Sequence, residues 1–332
     1  MNMRKDNIRW GMIGAGGIAH AFVNDFKWMQ NASLVAVAAS DAKRVKAFAA
    51  KYNIPQALSY DELYKCDEID AVYVNTIHHL HFRQTLQCLE NGKAVLCEKP
   101  ITINDKEFKK LAAAAKANHV FLMEAMWTYF LPAIQKAKQW VDEGRIGTLK
   151  VIQADFAYPM DKNTQAKMFN PELAGGSLLE LGIYPIALAY YFTNKEPEKI
   201  VASGQLTSTG VDERTGVILE YGDITASLFS SIVSRMTNVG RIFGERGYIE
   251  IPDFWRAYGC RLYDKDYNLV DSYDDNRPSH GFIYEMQHAN DMILGGHFES
   301  PVMQHSRSNA IQETMTEIRR QIGLVYPMDQ YL

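Results

Sequence analysis

The sequence predicts an α/β protein of two domains: a doubly wound parallel sheet, followed by an α+β domain with a large, mostly antiparallel open sheet. Three observations lead to this prediction. Strand-like and helix-like segments alternate from residue 8 to about 124. A glycine-rich turn at 14–19 follows the first strand. Strand-like runs separated by turn residues then follow one another from about 199 to 273.

Size and composition set limits on the function. A chain of 332 residues exceeds one ordinary core, so about two domains are expected. The chain is 47% hydrophobic and 22% charged, which is typical of a soluble globular protein. A net charge of −4 without a long Lys/Arg run argues against nucleic acid or an anionic membrane as a partner.

Targeting and cysteine signals point to the cytoplasm. The N-terminal residues contain no apolar signal region, and no run of 18 apolar residues predicts a membrane span. The four cysteines lack metal-type spacing, so reduced thiols are the simplest interpretation. We therefore expect a cytoplasmic protein.

The first domain, predicted over residues 1–124, alternates strands and helices. Its helices carry apolar residues at helical spacing, as Val45, Phe48 and Ala49 do. Continuous apolar strands joined by helices are typical of a parallel sheet covered on both faces. The predicted strands are 8–13, 34–39, 71–75, 94–97 and 120–123, and the predicted helices are 18–29, 41–52, 81–91 and 105–118.

The second domain, predicted over residues 125–332, has a different pattern. In its first strand, at 148–158, Ile152, Ala154 and Phe156 alternate and share one face. The later strand-like runs succeed one another directly, which indicates a mostly antiparallel sheet. The predicted strands are 200–206, 216–221, 225–231, 238–244, 247–252 and 259–263, and the predicted helices are 131–144, one beginning near 175, 282–294 and 306–323.

The turn at 14–19 fits the pattern G-x-G-x-x-A between a strand and a helix. The first glycine permits a tight turn, the second lets the backbone approach a pyrophosphate, and Ala19 allows close packing of helix on strand. The helix N-terminus favours the phosphate charge. This pattern predicts a Rossmann-type dinucleotide site. The predicted contacts in the turn are Gly14, Ala15, Gly16, Gly17 and Ile18.

The tip of the second strand is expected to select the cofactor. An NAD-preferring site usually carries an acid there, whereas this strand ends with Ala39 and Ser40, followed closely by Lys43 and Arg44. A hydroxyl followed by two cations suits a 2′-phosphate, so NADP is favoured and NAD is less expected. Two alternatives stay open. Asp41 could cap the next helix beside a solvated basic face, or it could bind the ribose and favour NAD.

Glu98, Lys99 and Pro100 directly follow the buried strand-like run at 93–97. A lysine at that position would stand beside the nicotinamide, where it could bond the reacting oxygen or lower the pKa of a neighbouring proton donor. Glu98 could bond the ribose or hold the lysine. The alternative is a surface ion pair at a strand end.

A second candidate pair lies in the segment at 175–185. Glu180 and Tyr184 are four residues apart and would share a face of an α-helix. A tyrosine can donate a proton to a carbonyl if a nearby cation lowers its pKa from about 10, and Lys99 could be that cation. The alternative is a core tyrosine whose hydroxyl bonds Glu180.

The remaining predicted cofactor contacts follow two further strands. Asn75, Thr76 and His81 lie at the end of the strand at 71–75, which is an edge suited to cofactor contact. The nearby histidines lack Asp or Cys companions, so no metal site is predicted. Trp127 is a candidate for the wall of the cleft, although aromatic residues in such positions are more often core.

The chain resembles the glucose-fructose oxidoreductase / inositol dehydrogenase / MocA family from end to end. The stretches that carry the resemblance are 14–19, 98–100, 175–184 and 318–327. Within this family it is most similar to the dimeric dihydrodiol dehydrogenases, on the stretches 35–39, 94–100 and 121–128.

The resemblance implies an NADP-linked Rossmann domain, a second domain with an open sheet, and homodimers or higher homo-oligomers formed through that sheet. It also implies hydride transfer between nicotinamide and a carbinol carbon of a sugar, a cyclic polyol or a dihydrodiol. Lys99 matches the family lysine and Tyr184 the acid/base tyrosine. Glu180 replaces the family's usual aspartate and Ile77 its usual proline, whereas His81 matches the family histidine.

The combined prediction is a cytoplasmic NADP(H)-dependent oxidoreductase with a small carbonyl or polyol substrate. The catalytic candidates are Lys99, Tyr184 and Glu180. The alternative is a regulator that binds NADP or a sugar on the same fold without turnover. Retention of Lys99 and Tyr184 favours the enzyme, and the Glu180 departure favours the sensor.

Overall fold

The structure, a computed structural model, describes residues 6–162 and 166–331. It contains two compact units. The first comprises the chain through Thr102 together with Lys106–Trp127 and Arg277–Asn309. The second comprises Ile103–Asp105, Thr128–Asn276 and the chain from Ala310 on. The segment Arg277–Asn309 therefore belongs to the first unit, although it lies far beyond the boundary at 124 that the sequence pattern suggested.

Within residues 6–162, the first unit forms a six-stranded parallel sheet in the order β3-β2-β1-β4-β5-β6, which is the Rossmann strand order. Its strands are β1 (Ile8–Ile13), β2 (Ala32–Ala38), β3 (Gln56–Leu58), β4 (Ala71–Val74), β5 (Ala94–Glu98) and β6 (Leu122–Ala125). The helices of the N-terminal half are α1 (Gly17–Phe26), α2 (Ala42–Tyr52), α3 (Tyr60–Lys65), α4 (His78–Glu90) and α5 (Asp105–Asn118).

The burial of the central strands is typical of a parallel sheet. Every residue of β4 and β5 is buried, because helices cover both faces of the sheet. The strand order reverses between β1 and β4, and in such sheets ligands bind at the carboxyl ends of the strands where this reversal occurs. This edge carries Gly14, Asn75 and Lys99.

Several elements of the first unit differ from the predictions. The short strand β3 and the helix α3 were not predicted, although Ser59 and Glu62 form a capping box, a pattern visible in the sequence. Helix α4 begins at His78, so His81 lies in its first turn and does not begin it. Strand β6 begins at Leu122, two residues later than predicted.

The second unit is built on an open sheet of eight strands over its described residues, in the order β14-β13-β12-β11-β7-β10-β9-β8. Only the pair β7 and β10 is parallel among these neighbours. The strands are β7 (Leu149–Ala157), β8 (Lys199–Leu206), β9 (Asp212–Tyr221), β10 (Ile224–Ser231), β11 (Gly240–Gly244), β12 (Gly247–Ile251), β13 (Gly259–Asp264) and β14 (Leu269–Asp274). Further α-helices among the described residues are α6 (Pro132–Asp142), α7 (Ile183–Thr193), α8 (Phe282–Leu294), which lies in the first unit, and α9 (His305–Ile322).

The faces of β7 follow the predicted alternation. Ile152, Ala154 and Phe156 are buried, on the side covered by α7, whereas Gln153 is exposed. The edge strand β14 was not predicted, because most of its residues are exposed and it lacks a buried face.

The helix predicted near residue 175 begins in an unexpected way. Residues Leu178–Gly182 form one turn of π-helix before α7 starts. The prediction that Glu180 and Tyr184 share a face assumed regular α-helical spacing, whereas Glu180 lies on the π-helical turn, so the shared face stays a prediction. A π-helical turn inserts one extra residue and often marks a functional site.

One helical stretch, Pro171–Thr193, is long and apolar enough to cross a membrane by length and composition. Its most apolar window of 18 residues is 89% buried within the protein. A core helix of a globular protein passes the same test, and the burial agrees with that interpretation.

Candidate active site

The turn between β1 and α1 has the shape of a pyrophosphate-binding loop. Gly14 has a φ of +117°, and a Cβ there would lie 2.4 Å from Oδ1 of Asn75, so the position requires glycine. No described atom lies within 4 Å of the point where a Cβ would stand on Gly16 or Gly17. Gly16 is the N-cap of α1, and no described side chain caps the helix. The first amides of α1 are therefore available to an anion.

The residues beside this turn also suit a ligand. Asn75 is 8% exposed, and neither polar atom of its side chain has a partner among the described residues. A buried side-chain amide without hydrogen-bond partners is uncommon in a protein core. It is expected where a bound ligand supplies the partners. Ala15 is buried and Ile18 is 46% exposed. The Thr76 hydroxyl instead donates to Gln84, at 2.6 Å.

At the tip of β2, the roles of Asp41 and its neighbours can be separated. One carboxylate oxygen of Asp41 accepts hydrogen bonds from the backbone N–H of Lys43 (2.8 Å) and of Arg44 (2.9 Å), so Asp41 is the N-cap of α2. These bonds, that of Arg44 first, lower the pKa of Asp41. The guanidinium of Arg44 lies 3.4 Å from the Ser40 hydroxyl. Ser40 and Arg44 thus lie together beyond the buried Ala39.

Lys99 is the first residue after β5, and it is only 9% exposed. The preceding Glu98 is also buried and accepts a short hydrogen bond from the Tyr73 hydroxyl of the neighbouring strand β4. The Glu98 carboxylate is therefore fixed by a residue of the neighbouring strand. This contact provides a structural role for Glu98, and its predicted bond to the ribose stays a prediction.

A second buried carboxylate, Glu124 of β6, lies near Lys99. One of its oxygens accepts a hydrogen bond from the Ile101 N–H at 3.0 Å. Burial raises the pKa of Glu124 to about 7, and the bond from Ile101 and the positive charge of Lys99 act against this rise. Glu124 thereby secures the backbone two residues after the lysine.

His81 contacts the same loop from α4. Its Nδ1 lies 2.8 Å from the carbonyl oxygen of Pro100, and its Nε2 lies 3.1 Å from that of Thr76. Burial lowers the pKa of His81 to about 4, so the ring is neutral at physiological pH. Both ring nitrogens face backbone carbonyls, which places His81 between two loops of the site. Its predicted contact with the cofactor stays a prediction.

Helix α8 contributes residues to this region that the sequence did not reveal. Phe282 stacks on Trp127 with 4.5 Å between ring centroids. Glu285 is fully buried, and burial and the nearby Glu98 carboxylate hold its pKa well above the usual range. Asp25 of α1 accepts hydrogen bonds from the N–H groups of His280 and Gly281, which secures the start of α8. A glutamate in an amphipathic helix is usually solvated, so no local signal marked Glu285.

In the second unit, Tyr184 is 6% exposed and belongs to a cluster of aromatic rings. Its ring meets Phe156 edge to face at 5.3 Å and Trp255 at 6.3 Å, and these two rings stack on each other at 4.9 Å. Glu180 is partly buried on the π-helical turn. Lys99 belongs to the first unit, whereas Tyr184 and Glu180 belong to the second.

Metal ligands are not grouped in the described parts of the chain. Within residues 6–162 and 166–331, no three His, Cys, Asp or Glu side chains are arranged to hold a metal ion. The four cysteines are unpaired with one another, and Cys88, Cys97 and Cys260 are buried.

Comparisons with known proteins agree with this architecture. Residues 8–126 match the family model described as "Oxidoreductase family, NAD-binding Rossmann fold", and residues 134–250 match the "GFO/IDH/MocA C-terminal domain". The chain is 36% identical to a trans-1,2-dihydrobenzene-1,2-diol dehydrogenase of Mus musculus, with 97% of this chain and 99% of the relative covered. It is 37% identical to the Xenopus laevis protein of the same name, with 96% and 99% covered.

Solved structures show the same fold. A 3-ketoreductase from Actinomadura kijaniata, solved with NADP and TDP-benzene, is similar with a TM-score of 0.86 at 23% identity, covering 95% of this chain and 98% of that chain. An aldose-aldose oxidoreductase from Caulobacter crescentus, complexed with glycerol, is similar with a TM-score of 0.86 at 23% identity, covering 95% and 97%. At this level of sequence identity, the similarity to these two structures shows the fold alone. The two family models and the full-length relatives show more: the chain belongs to the GFO/IDH/MocA oxidoreductase family.

Proposed function

We propose that this protein is an NADP(H)-dependent oxidoreductase that acts on a carbonyl or CH–OH group of a ring compound, namely a sugar, a cyclic polyol or a dihydrodiol. The observation that carries the proposal is the setting of Tyr184 among Phe156 and Trp255. Aromatic faces suit the apolar face of a ring, and the phenol supplies a proton donor in the same place. Relatives at 33–37% identity named as dihydrodiol dehydrogenases support the same substrate class.

The proposed chemistry assigns a role to each residue. In the reductive direction Tyr184 donates the proton to the substrate oxygen. Lys99 bonds that oxygen or lowers the pKa of Tyr184, because a buried ammonium stabilises developing negative charge. Glu98 and Glu124 hold the loop that carries the lysine. The nicotinamide, when bound, supplies or accepts the hydride. We propose that Glu180 lies near Tyr184 and acts with it, and substitution of Glu180 would show which step of turnover depends on it.

Two observations support NADP over NAD. Asp41 already accepts two backbone N–H groups as a helix cap, which leaves it a poor ribose ligand. Ser40 and Arg44 lie together at the same strand tip, where a hydroxyl and a guanidinium suit a phosphate. We propose that Lys43 adds charge at this point. The turn residues Gly14, Ala15, Gly16, Gly17 and Ile18, with Asn75 and Trp127, are proposed to hold the rest of the cofactor.

We further propose a homodimer in the cytoplasm. The face of the open sheet opposite α7 contains a hollow of about 560 Å³. Its lining mixes apolar side chains, among them Val201, Ile218 and Phe229, with polar ones such as Asp155 and Arg241. Val201 is 46% exposed and Met236 is 37% exposed. Exposed apolar side chains on a sheet face, with polar groups between them, suit burial against a second copy. Sedimentation or light scattering would reveal the dimer, and Ile218→Glu should convert it to monomer while Phe298→Glu, in the first unit, should not.

The proposed function is tested by following nicotinamide absorbance with NADPH and NADH over a panel of sugar-derived ketones, dicarbonyls, diketones and dihydrodiols. We expect turnover with NADPH. Tyr184→Phe should lower kcat by about 100-fold or more and leave NADPH affinity nearly unchanged. Lys99→Ala should lower kcat and also weaken NADPH binding. Tyr190→Phe is the matched control, since Tyr190 is buried in the same helix and bonds Thr314.

The outcomes separate the enzyme from its alternative. Full activity of the Tyr184→Phe variant would remove this tyrosine from the mechanism. Turnover with NADH alone would overturn the cofactor assignment. Binding of NADPH, seen by fluorescence, without turnover of any compound in the panel would favour a sensor that uses the same fold.

A further inference from the structure

Residues 175–177 form the turn that leads into the π-helix and α7, and neighbouring residues pack closely against this turn. A Cβ on Gly175 would lie 2.6 Å from the carbonyl oxygens of Lys167 and Met168. Gly176 has a φ of +115°, and a Cβ there would lie 2.2 Å from Oδ1 of Asp212. Both positions therefore require glycine. Neither glycine can therefore carry a side chain unless its neighbours shift.

Asp212, at the start of β9, holds one side of this turn. Its side chain is fully buried, and Oδ2 accepts hydrogen bonds from the Ser177 hydroxyl (2.6 Å), the Leu178 N–H (2.8 Å) and the Thr215 hydroxyl (2.8 Å). Ser177 also lies 3.1 Å from the hydroxyl of Ser230 on β10. The carboxylate thus joins the first residue of the π-helical turn to β9, and the Ser177 hydroxyl adds a contact with β10.

Tyr326, in the C-terminal segment, holds the other side. Its buried hydroxyl donates a hydrogen bond to the carbonyl oxygen of Gly175 at 2.5 Å. The guanidinium of Arg319 lies 4.4 Å from the Tyr326 ring and forms an ion pair with Asp329, which also accepts a bond from the Tyr326 N–H at 2.8 Å. The C-terminal stretch at 318–327, which carries part of the family resemblance, is thereby connected to the turn.

We propose that Asp212 and Tyr326 are positioning residues for Tyr184. Together they determine where the π-helical turn begins, and with it the rotation of the helix that presents the tyrosine. A relaxation of the turn by one residue would rotate Tyr184 by about 100° around the helix axis, because an α-helix has about 3.6 residues per turn. This proposal rests on the proposed function of Tyr184 as proton donor.

The test compares Asp212→Asn and Tyr326→Phe with the control Tyr190→Phe. Tyr190 is a buried tyrosine of α7 whose hydroxyl lies 3.2 Å from the Ala310 carbonyl oxygen and 2.9 Å from Thr314, far along the helix from the turn. Amide hydrogen exchange over residues 176–186 reports the turn directly and requires no substrate. Steady-state kinetics with NADPH and the best compound of the panel report the consequence for Tyr184.

We expect faster exchange over 176–186 in both test variants, together with a kcat lowered by about 10- to 100-fold and an NADPH dissociation constant within about twofold of the original. The control should lose some thermal stability but keep its kcat and its exchange in this segment. A loss of kcat with no change in exchange would overturn the proposal, and so would faster exchange with unchanged kcat.

Two further results remain interpretable. If Asp212→Asn does not fold, Tyr326→Phe decides the question by the same two readouts, because it removes only one hydroxyl. If the unmodified protein binds NADPH but turns over nothing, the proposed function fails. Unchanged exchange in both variants would then also overturn the claim that these residues hold the turn.

Discussion

Two glycine-rich turns precede helices in this protein. Their local backbone geometry is similar, but one turn is open and the other is occupied by a side chain. Gly14 and Gly176 have φ values of +117° and +115°, and a Cβ on either would meet a side-chain oxygen within 2.4 Å. The first turn leaves Gly16 open and the following helix without a described side-chain cap. In the second, the Asp212 carboxylate already accepts the Leu178 N–H.

The comparison shows what makes a glycine-rich turn a binding site. Helix N-terminal amides attract an anion wherever they are accessible. At the first turn no described side chain takes this role, and we propose that the cofactor's pyrophosphate does; at the second turn the anion is a side chain of the protein itself. The glycine pattern alone does not distinguish the two cases, since glycine serves backbone geometry in both.

The largest expected effect is a loss of stability, tested by comparing substitutions at two glycines of the second unit. Gly176→Ala should lower the free energy of unfolding by about 2–4 kcal/mol, because it combines an unfavourable φ with a clash against the buried Asp212. Gly210→Ala is the control: its φ is +96°, but no described atom lies within 4 Å of an added Cβ. Its loss should be about 1 kcal/mol. Urea unfolding measures both, and equal losses would show that Asp212 does not confine the turn.

The second prediction concerns the buried carboxylate that secures the first unit's lysine loop. The pKa of Glu124 is raised by burial to about 7, from an ordinary value of 4.5. Its contribution to stability is therefore fully present below pH 4.5 and lost as the pH rises through 7, a change on the order of 3 kcal/mol. Glu124→Gln should flatten this part of the pH dependence of urea unfolding. An unchanged slope in the variant would mean that Glu124 ionises normally.

The third prediction tests the open turn by filling it. Gly16→Val should weaken NADPH binding by about tenfold or more, because its side chain would stand where the backbone approaches the pyrophosphate. Gly16 has a φ of −95°, which valine tolerates, so the unfolding free energy should change by less than about 1 kcal/mol. Fluorescence titration and urea unfolding give the two values. A variant that unfolds more easily yet binds NADPH normally would contradict the contrast between the turns.

The smallest expected effect concerns the strand tip beside the first turn. Arg44→Ala should weaken NADPH binding by about fivefold to tenfold and leave NADH binding unchanged, because only NADPH carries the 2′-phosphate. Lys51→Ala, in the last turn of the same helix, is the control. A loss of equal size for both cofactors would place Arg44 away from the phosphate.

Much of the fold could be predicted because short-range patterns carry it. The apolar runs of β4 and β5 indicated a parallel sheet, and the alternation along β7 indicated a half-covered face. Elements without such patterns were missed: β3 has three residues, and β14 is mostly exposed. The π-helical turn was missed because its extra residue depends on the bonds of Asp212 and Tyr326, which lie far away in the sequence.

The sequence by itself determined the two-part architecture, the glycines that the turns require and the position of Lys99 directly after its strand. These follow from backbone sterics and from side-chain periodicity, which act over a few residues. Only the tertiary structure decided which acidic side chains are buried. Asp212, Glu124 and Glu285 are ordinary acids in the sequence, and their altered pKa values arise from burial among segments distant in the chain.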